Sequence, residues 1–163
     1  MATSRTNGGG GAARFRSALE ATGLSPEQRS FPESTRSAVE AANAIGCELA
    51  QITKSLVFQV DGEPVLVLID GASRVDPRKV AAALSAERVE RADARLVREA
   101  TGYAIGGVAP FGHATRLRVL ADEGLTRHQI LWAAAGTPNA VFSLTPAELF
   151  AHTKAVLADV SAL

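Results

Sequence analysis

Ser55-Leu56-Val57-Phe58-Gln59-Val60-Asp61-Gly62-Glu63-Pro64-Val65-Leu66-Val67-Leu68-Ile69-Asp70 is the stretch that decides the fold. Two β-rich runs flank Asp61-Gly62, the sequence of a two-residue hairpin turn. Just before the first run comes Ile52-Thr53-Lys54, so a lone lysine stands at the mouth of an apolar strand.

Elements of other periods surround this hairpin. Upstream, Phe15, Leu19 and Leu24 fit a short amphipathic helix ending near Gly23. Phe31-Pro32-Glu33 reads as a connector. A second helix is expected to be capped by Ser34 or Thr35 and to run through Ala44, with Val39, Ala42 and Ile45 inward and Gly46 at its end. Downstream, Asp76-Pro77 pairs an N-cap with proline at the first helical position and opens a helix through Leu84. A further helix is expected from Asp93 to Thr101, stopped by Gly102. Arg116 to Leu120 alternates as a strand. Ile130 to Ala135 is read as a strand cut off by Gly136-Thr137-Pro138, and Ala140 to Leu144 as another. Thr145-Pro146-Ala147-Glu148 is a capping box that starts the last helix. The reading is a single α/β domain from residue 13 to residue 163. Residues 1–12, with Gly8 to Gly11 in a row, are expected to form a flexible tail.

Composition narrows the function classes. The chain has 163 residues, 47% of them hydrophobic and 21% charged, enough for one domain with a substantial core. No apolar run approaches the roughly 20 residues that span a bilayer, and no apolar leader is visible. One cysteine, Cys47, excludes an internal disulfide and fits a reducing cytoplasm. It follows Gly46 at a helix end, where a thiolate is not activated, so it reads as a buried structural thiol. Seventeen basic residues balance seventeen acidic ones, so any nucleic-acid contact must be local, and DNA is not an expected partner. His113, His128 and His152 have no metal-ligand spacing, and neither a nucleophile elbow nor a Walker loop occurs. No metal and no cofactor are expected.

Two segments remain that could carry chemistry. Lysine supplies only three of the seventeen basic residues, and Lys54 sits beside a run that should be core; there it would act as a point charge for a phosphate or a carbonyl oxygen. The bland alternative is a solvated edge charge. Far downstream lies Gly102-Tyr103-Ala104-Ile105-Gly106-Gly107-Val108-Ala109-Pro110-Phe111-Gly112. Its glycines either punctuate a turn or let a ligand approach the backbone N–H groups. With Gly136 and Thr137 after them, these pieces suggest a pocket of backbone amides with one fixed positive charge. Such a pocket suits a polyanion that carries a small neutral group. Arg88, Arg91, Arg95 and Arg98 read as a solvated face paired with Glu87, Glu90 and Glu99.

The order of Ala41-Ala42 to Gly46, Gln51 to Phe58, Gly102-Tyr103 with Gly106-Gly107-Val108 and Pro110-Phe111-Gly112, then Ala135-Gly136 and Thr145 to Leu149 closely resembles the YbaK-like editing-domain family. Its members are free-standing relatives of the editing domain inserted in bacterial prolyl-tRNA synthetase. The resemblance runs from about Phe15 onward and implies a mixed, strongly curved, barrel-like β-sheet surrounded by helices. It implies hydrolysis of the ester in a mischarged aminoacyl-tRNA carrying a small residue such as alanine, serine, threonine or cysteine. The partner would be the 3′ end of that tRNA, with a synthetase or an elongation factor delivering it. Lys54 matches the family's invariant lysine and would hold the terminal adenosine and its phosphate. Gly106 and Gly107 match the loop that places amides near the ester carbonyl. Gly136 and Thr137 would line the opposite wall, and Gly102, Pro110, Phe111 and Gly112 complete the substrate-binding set. Two departures stand out: Ala109 replaces a common serine, and Thr137-Pro138-Asn139 replaces a common basic residue. A binding module without turnover, for an RNA end or a nucleotide, and a synthetase-partner interaction domain are the alternative functions.

Overall fold

The computed structural model describes residues 6–32 and 37–162. Helix α1 (Thr6–Thr22) leads into the short strand β1 (Gln28–Ser30), and helix α2 (Ala38–Ile45) follows. A 3-10 turn at Leu49–Gln51 delivers the chain into β2 (Ile52–Val60), which pairs with β3 (Glu63–Asp70). Then come β4 (Arg74–Val75), α3 (Pro77–Leu84), β5 (Val89–Arg91), α4 (Ala94–Thr101), β6 (Arg118–Asp122), β7 (Leu131–Ala134), β8 (Ala140–Leu144), α5 (Pro146–Thr153), β9 (Val156–Ala158) and β10 (Ser161–Ala162).

The hairpin is the centre of the sheet. Asp61 (φ 48°) and Gly62 (φ 86°) both adopt positive φ, the conformation of a type I′ turn whose twist matches the flanking strands. The main sheet runs β1-β8-β7-β2-β3-β6-β9, and β5 joins β2 off this path. It is mixed: β7 lies parallel to β2, and β6 parallel to both β3 and β9. β10 pairs with β4 in a separate ribbon.

On the outer edge of β2, β7 reaches only Ile52 and Thr53, whereas β5 pairs from Phe58 to Val60. The sheet therefore forks beside Lys54 to Val57. The Ala92 N–H donates to the Val57 carbonyl. Strand alternation then sends the Ser55 N–H and C=O toward the same edge, into the fork.

Side-chain alternation builds one core on each face. On one face Val57, Leu66 and Leu68 pack with Phe15 and Leu19 of α1, Val97 of α4 and Leu149 of α5. On the other, Phe58, Val60, Val65 and Val67 pack with Val80 of α3, while Ile52, Trp132 and Val141 pack with Ala42 of α2. The buried Asp122 carboxylate accepts from the Gly124 and Val160 N–H groups and so anchors the C-terminal segment to the sheet. No helix among the described residues is long and apolar enough to cross a membrane.

Several sequence expectations shift. Helix α1 begins at Thr6, before the expected start at Ala13, and Gly11 lets it pass close to the turn after β7, since a Cβ there would collide with the Gly136 carbonyl. Residues 1–5 of the expected tail, and the caps expected at Ser34 or Thr35, lie outside the described residues. The α2 N-cap is Ser37, in a reciprocal capping box with Glu40. Val39 points outward, 53% exposed, because the inward stripe of this short helix is carried by Ala42 and its neighbours Ala38, Ala41 and Ile45. The arginine cluster splits between two elements: Arg88 meets Glu90, Arg95 meets Glu99, and Arg91 lies over the Phe58 ring.

Phe15 shows that α1 belongs to the core. It is 2% exposed, stacked on Phe111 at 5.9 Å and tilted against Phe142 at 4.7 Å. Phe15→Ala should destabilise the fold by about 3–5 kcal/mol, the cost of a cavity at a buried aromatic. Urea unfolding measures this, and a loss below about 1 kcal/mol would show that α1 does not pack as described.

Candidate functional site

The fork in the sheet opens into a cavity of about 260 Å³. Strand β2 forms its floor through Thr53, Lys54, Ser55 and Leu56, and the N-terminal turn of α2 contributes Ala38 and Ala41. Ile105, Gly106 and Val108 come from the glycine loop, Trp132 and Ala134 from β7, and Pro138, Ala140 and Val141 from the turn into β8. The walls are mostly apolar, and among the described residues Lys54 is the only ionisable side chain lining them.

Lys54 is half-buried. Its Nζ donates to the Ser73 carbonyl at 2.7 Å, in a turn folded on Asp70, whose carboxylate accepts from the Ala72 N–H and the Ser73 hydroxyl. Burial pushes the Lys54 pKa below the ordinary lysine value; Asp70 opposes the shift, and Arg91 and Arg74 add to it. The lysine is thus a partly desolvated charge held on one hydrogen bond to a backbone carbonyl.

Thr53 and Ser55 project from the opposite face of the same strand. Their hydroxyl oxygens are buried and have no hydrogen-bond partner among the described residues, and Thr53 is only 3% exposed. Buried polar groups are rarely left unpaired. Both residues border the cavity.

The glycine loop is built on one turn. The Gly107 N–H donates to the Ala104 carbonyl at 2.9 Å, with Gly106 at φ 89°. This is a type II turn, which demands positive φ at its third residue and so a glycine there. The Gly107 amide is committed to that bond, whereas the Gly106 N–H has no partner among the described residues. Gly107 serves instead as a contact surface, since a Cβ there would lie 2.8 Å from the Thr137 backbone. That contact sets Pro138 beside Gly106.

The structure therefore brings Lys54 and Gly106 together at the cavity and places Gly107 and Thr137 directly behind its wall. It does not bring the other expected residues there. Gly102 (φ 80°) is the C-cap of α4 and lies against Arg14. Pro110 is buried, and Phe111 belongs to the core with Phe15 and Phe142. Gly112 (φ 79°) packs on Ala18 and on Tyr103, whose hydroxyl donates to the Phe111 carbonyl. Gly136 (φ 95°) meets Gly11 and Phe15 of α1. These residues shape the loops that carry the cavity without lining it. Ala109 is likewise fully buried in the core, its carbonyl accepting from His113 Nε2 at 2.8 Å. The sequence reading missed Thr53, Ser55 and Trp132. Two hydroxyl residues bracketing Lys54 at the start of a mostly apolar strand were the available signal.

Fold and cavity together define an α/β domain with a small cavity at a strand fork, and known proteins share the fold. Residues 32–151 match the aminoacyl-tRNA editing domain family, and the chain belongs to that family. It is 35% identical over 120 residues to the uncharacterized protein YwhH of Bacillus subtilis, covering 73% of this chain and 76% of that one. It is 38% identical over 76 residues to the proline–tRNA ligase of Lysinibacillus sphaericus, 47% of this chain and 13% of the ligase. A solved structure described as a "putative trans-editing enzyme for prolyl tRNA synthetase" superposes with a TM-score of 0.89 at 43% identity, covering 94% of this chain and 98% of that one. The hypothetical protein APE2540 superposes with a TM-score of 0.83 at 29% identity, covering 91% of this chain and 99% of its own.

Two measurements test this geometry. Gly107→Ala should displace the Thr137-Pro138 wall and destabilise the fold more than Gly106→Ala, whose Cβ has room and meets only the strain of positive φ. Thermal unfolding of the pair gives the order, and the reverse order would refute the wall contact. For Lys54 the sign follows from its lowered pKa: the folded protein gives up this proton at lower pH than the unfolded chain. The stability it contributes is therefore least below the folded pKa and grows as pH rises toward the unfolded value, 10.5. Wild type should gain stability relative to Lys54→Met as pH climbs from 7 through that window. Parallel urea curves at every pH would show that Lys54 is not desolvated.

Proposed function

We propose that the protein is a trans-editing deacylase, acting in the cytoplasm on the ester between a small amino acid and the 3′ end of a tRNA. The observation that carries this reading is the composition of the cavity: one cation, two unpaired buried hydroxyls and apolar walls, in a space of about 260 Å³. That volume lies below the usual range for drug-sized ligands and suits an aminoacyl group rather than a whole nucleotide. Membership of the editing-domain family and the likeness to prolyl-tRNA synthetase relatives support the same substrate class.

The chemistry follows from what lines the cavity. Among the described residues, no carboxylate, histidine or thiol lines it to act as base or nucleophile. A water oxygen adds to the ester carbon, its proton passes by way of the vicinal ribose hydroxyl to the departing ribose oxygen, and the C–O bond breaks. Free amino acid and a tRNA ending in an unmodified diol are left. The Gly106 N–H supplies the loop donor for the developing oxyanion, and one such donor is worth about 10²- to 10³-fold in rate. Lys54 leaves the Ser73 carbonyl to hold the terminal phosphate and fixes the ester in place. Thr53 and Ser55 provide the polar contacts that the aminoacyl group and the attacking water meet inside the apolar walls. Ile52, Val108, Trp132 and Val141 exclude larger residues. A surplus methylene there is worth only about 1–3 kcal/mol, the discrimination expected of a size sieve.

Deacylation of tRNAs charged with alanine, serine, threonine or cysteine tests the reading. Wild type should hydrolyse one or two of them, and Lys54→Ala should abolish the activity. Thr53→Val keeps the shape and removes a hydroxyl that bonds only to substrate, so it should leave stability unchanged or raised while kcat/KM drops about tenfold, the worth of one hydrogen bond. A flat wild-type panel would move the protein to a binding role. Activity indifferent to Lys54 would place the reaction elsewhere.

A further inference from the structure

A second concavity, an open groove of about 740 Å³, lies at the far end of the central strands. Leu84 and Ser85 at the end of α3, Arg116 and Arg118 at the entry to β6, and His152 and Lys154 at the end of α5 form its walls. Among the described residues its lining holds two arginines, a lysine and a histidine, and no carboxylate. In a chain whose charges cancel overall, that is a local excess of one sign. Arg116, Arg118 and Lys154 are all exposed and form no hydrogen bond or ion pair with another described side chain. By contrast, Arg29, Arg78, Arg88, Arg95 and Lys79 all meet carboxylates.

Cations beside helix C-termini often serve the helices, whose last carbonyls attract positive charge. Here that need is met from within. Ser85 and Lys154 take left-handed conformations, and their own N–H groups satisfy the carbonyls of Ala81, Ala82 and Phe150. The Arg116, Arg118 and Lys154 side chains make no hydrogen bond to these carbonyls, and their charged groups face the groove's solvent.

The groove is also within reach of the cavity. Arg118 pairs with Val65, which pairs with Phe58, four residues along β2 from Lys54. Four residues of strand cover about 13 Å and two strand spacings about 10 Å, which puts Arg118 about 16 Å from Lys54.

We propose that this groove binds the phosphate backbone of the RNA whose 3′ end enters the cavity, through Arg116, Arg118 and Lys154. The identity of that RNA as a tRNA rests on the deacylase reading; the polyanion site itself does not. The groove supplies affinity without sequence selection, since phosphate contacts position a nucleic acid and carry no base information.

The test is binding of uncharged tRNA, followed by fluorescence anisotropy between 50 and 200 mM salt, for wild type and for the combined variant R116Q/R118Q/K154Q. Each lost phosphate contact lowers the salt slope by about 0.7 to 0.9. The variant should therefore bind at least tenfold more weakly at low salt, with a slope shallower by about 2 to 3. R78Q/R95Q removes exposed charge elsewhere and should bind as wild type does, which controls for net charge and folding. In kinetics, the variant's rate on aminoacyl-tRNA should fall at least tenfold relative to its rate on an aminoacylated adenosine, a single nucleoside too short to span the distance to the groove. If neither ester is hydrolysed but RNA binding still depends on the three cations, the deacylase reading fails and the groove stands. Equal affinity and salt slope in wild type and the triple variant would overturn the proposal. So would wild type that binds no tRNA, or loss of binding to phosphatidylserine vesicles with RNA binding unchanged.

Discussion

The outer edge of β2 is the constraint on which the rest of the structure depends. Its inner edge is fully paired with β3, from Thr53–Asp70 to Val60–Glu63. Its outer edge is divided between β7 and β5, which never meet. A strand edge left open inside a protein carries unsatisfied N–H and C=O groups, and the fold spends much of its sequence enclosing this one. Helix α2, the type II turn at Ala104–Gly107 and the turn into β8 close over the gap without pairing to it. The cavity is what remains between them. Both faces of β2 border it, so Lys54, Thr53 and Ser55 all line one space although their side chains leave the strand in opposite directions.

That arrangement favours binding over stability. A half-buried lysine and two buried hydroxyls without partners each cost something in the empty protein. They sit together beside the only stretch of β2 that lacks an outer partner strand. Among the described residues, two unpaired hydroxyls and one partly desolvated lysine are concentrated on adjacent residues of one strand.

Much of this was legible in the sequence, and the rest was not for identifiable reasons. Asp61-Gly62 specified its turn through local φ preference, and Asp76-Pro77 and Thr145 to Glu148 specified helix starts through their caps; such signals are complete within four residues. Lys54 and Gly106 were identified through their combination and reached one cavity. Gly102, Gly112 and Gly136 were read as ligand-facing because a glycine that frees space for a ligand looks the same in sequence as one that adopts positive φ or admits a neighbouring helix. Phe111 and Pro110 were drawn into the site by adjacency, whereas the loop turns them into the core. The short strands β1, β5 and β9 exist through pairing with distant partners and leave no local period. Trp132 escaped notice because a tryptophan on a core strand carries no mark of what it faces.

That tryptophan gives the protein a built-in optical probe. It is the only one in the chain. It is nearly buried, forms part of the cavity wall, and has the Arg29 guanidinium 5.4 Å from its ring centroid. Its emission reports the dielectric and the quenching environment of that one site, undiluted by signal from the remainder of the molecule. Occupancy of the cavity can therefore be followed by intrinsic fluorescence on the unlabelled protein, separating arrival of a ligand from any reaction that follows.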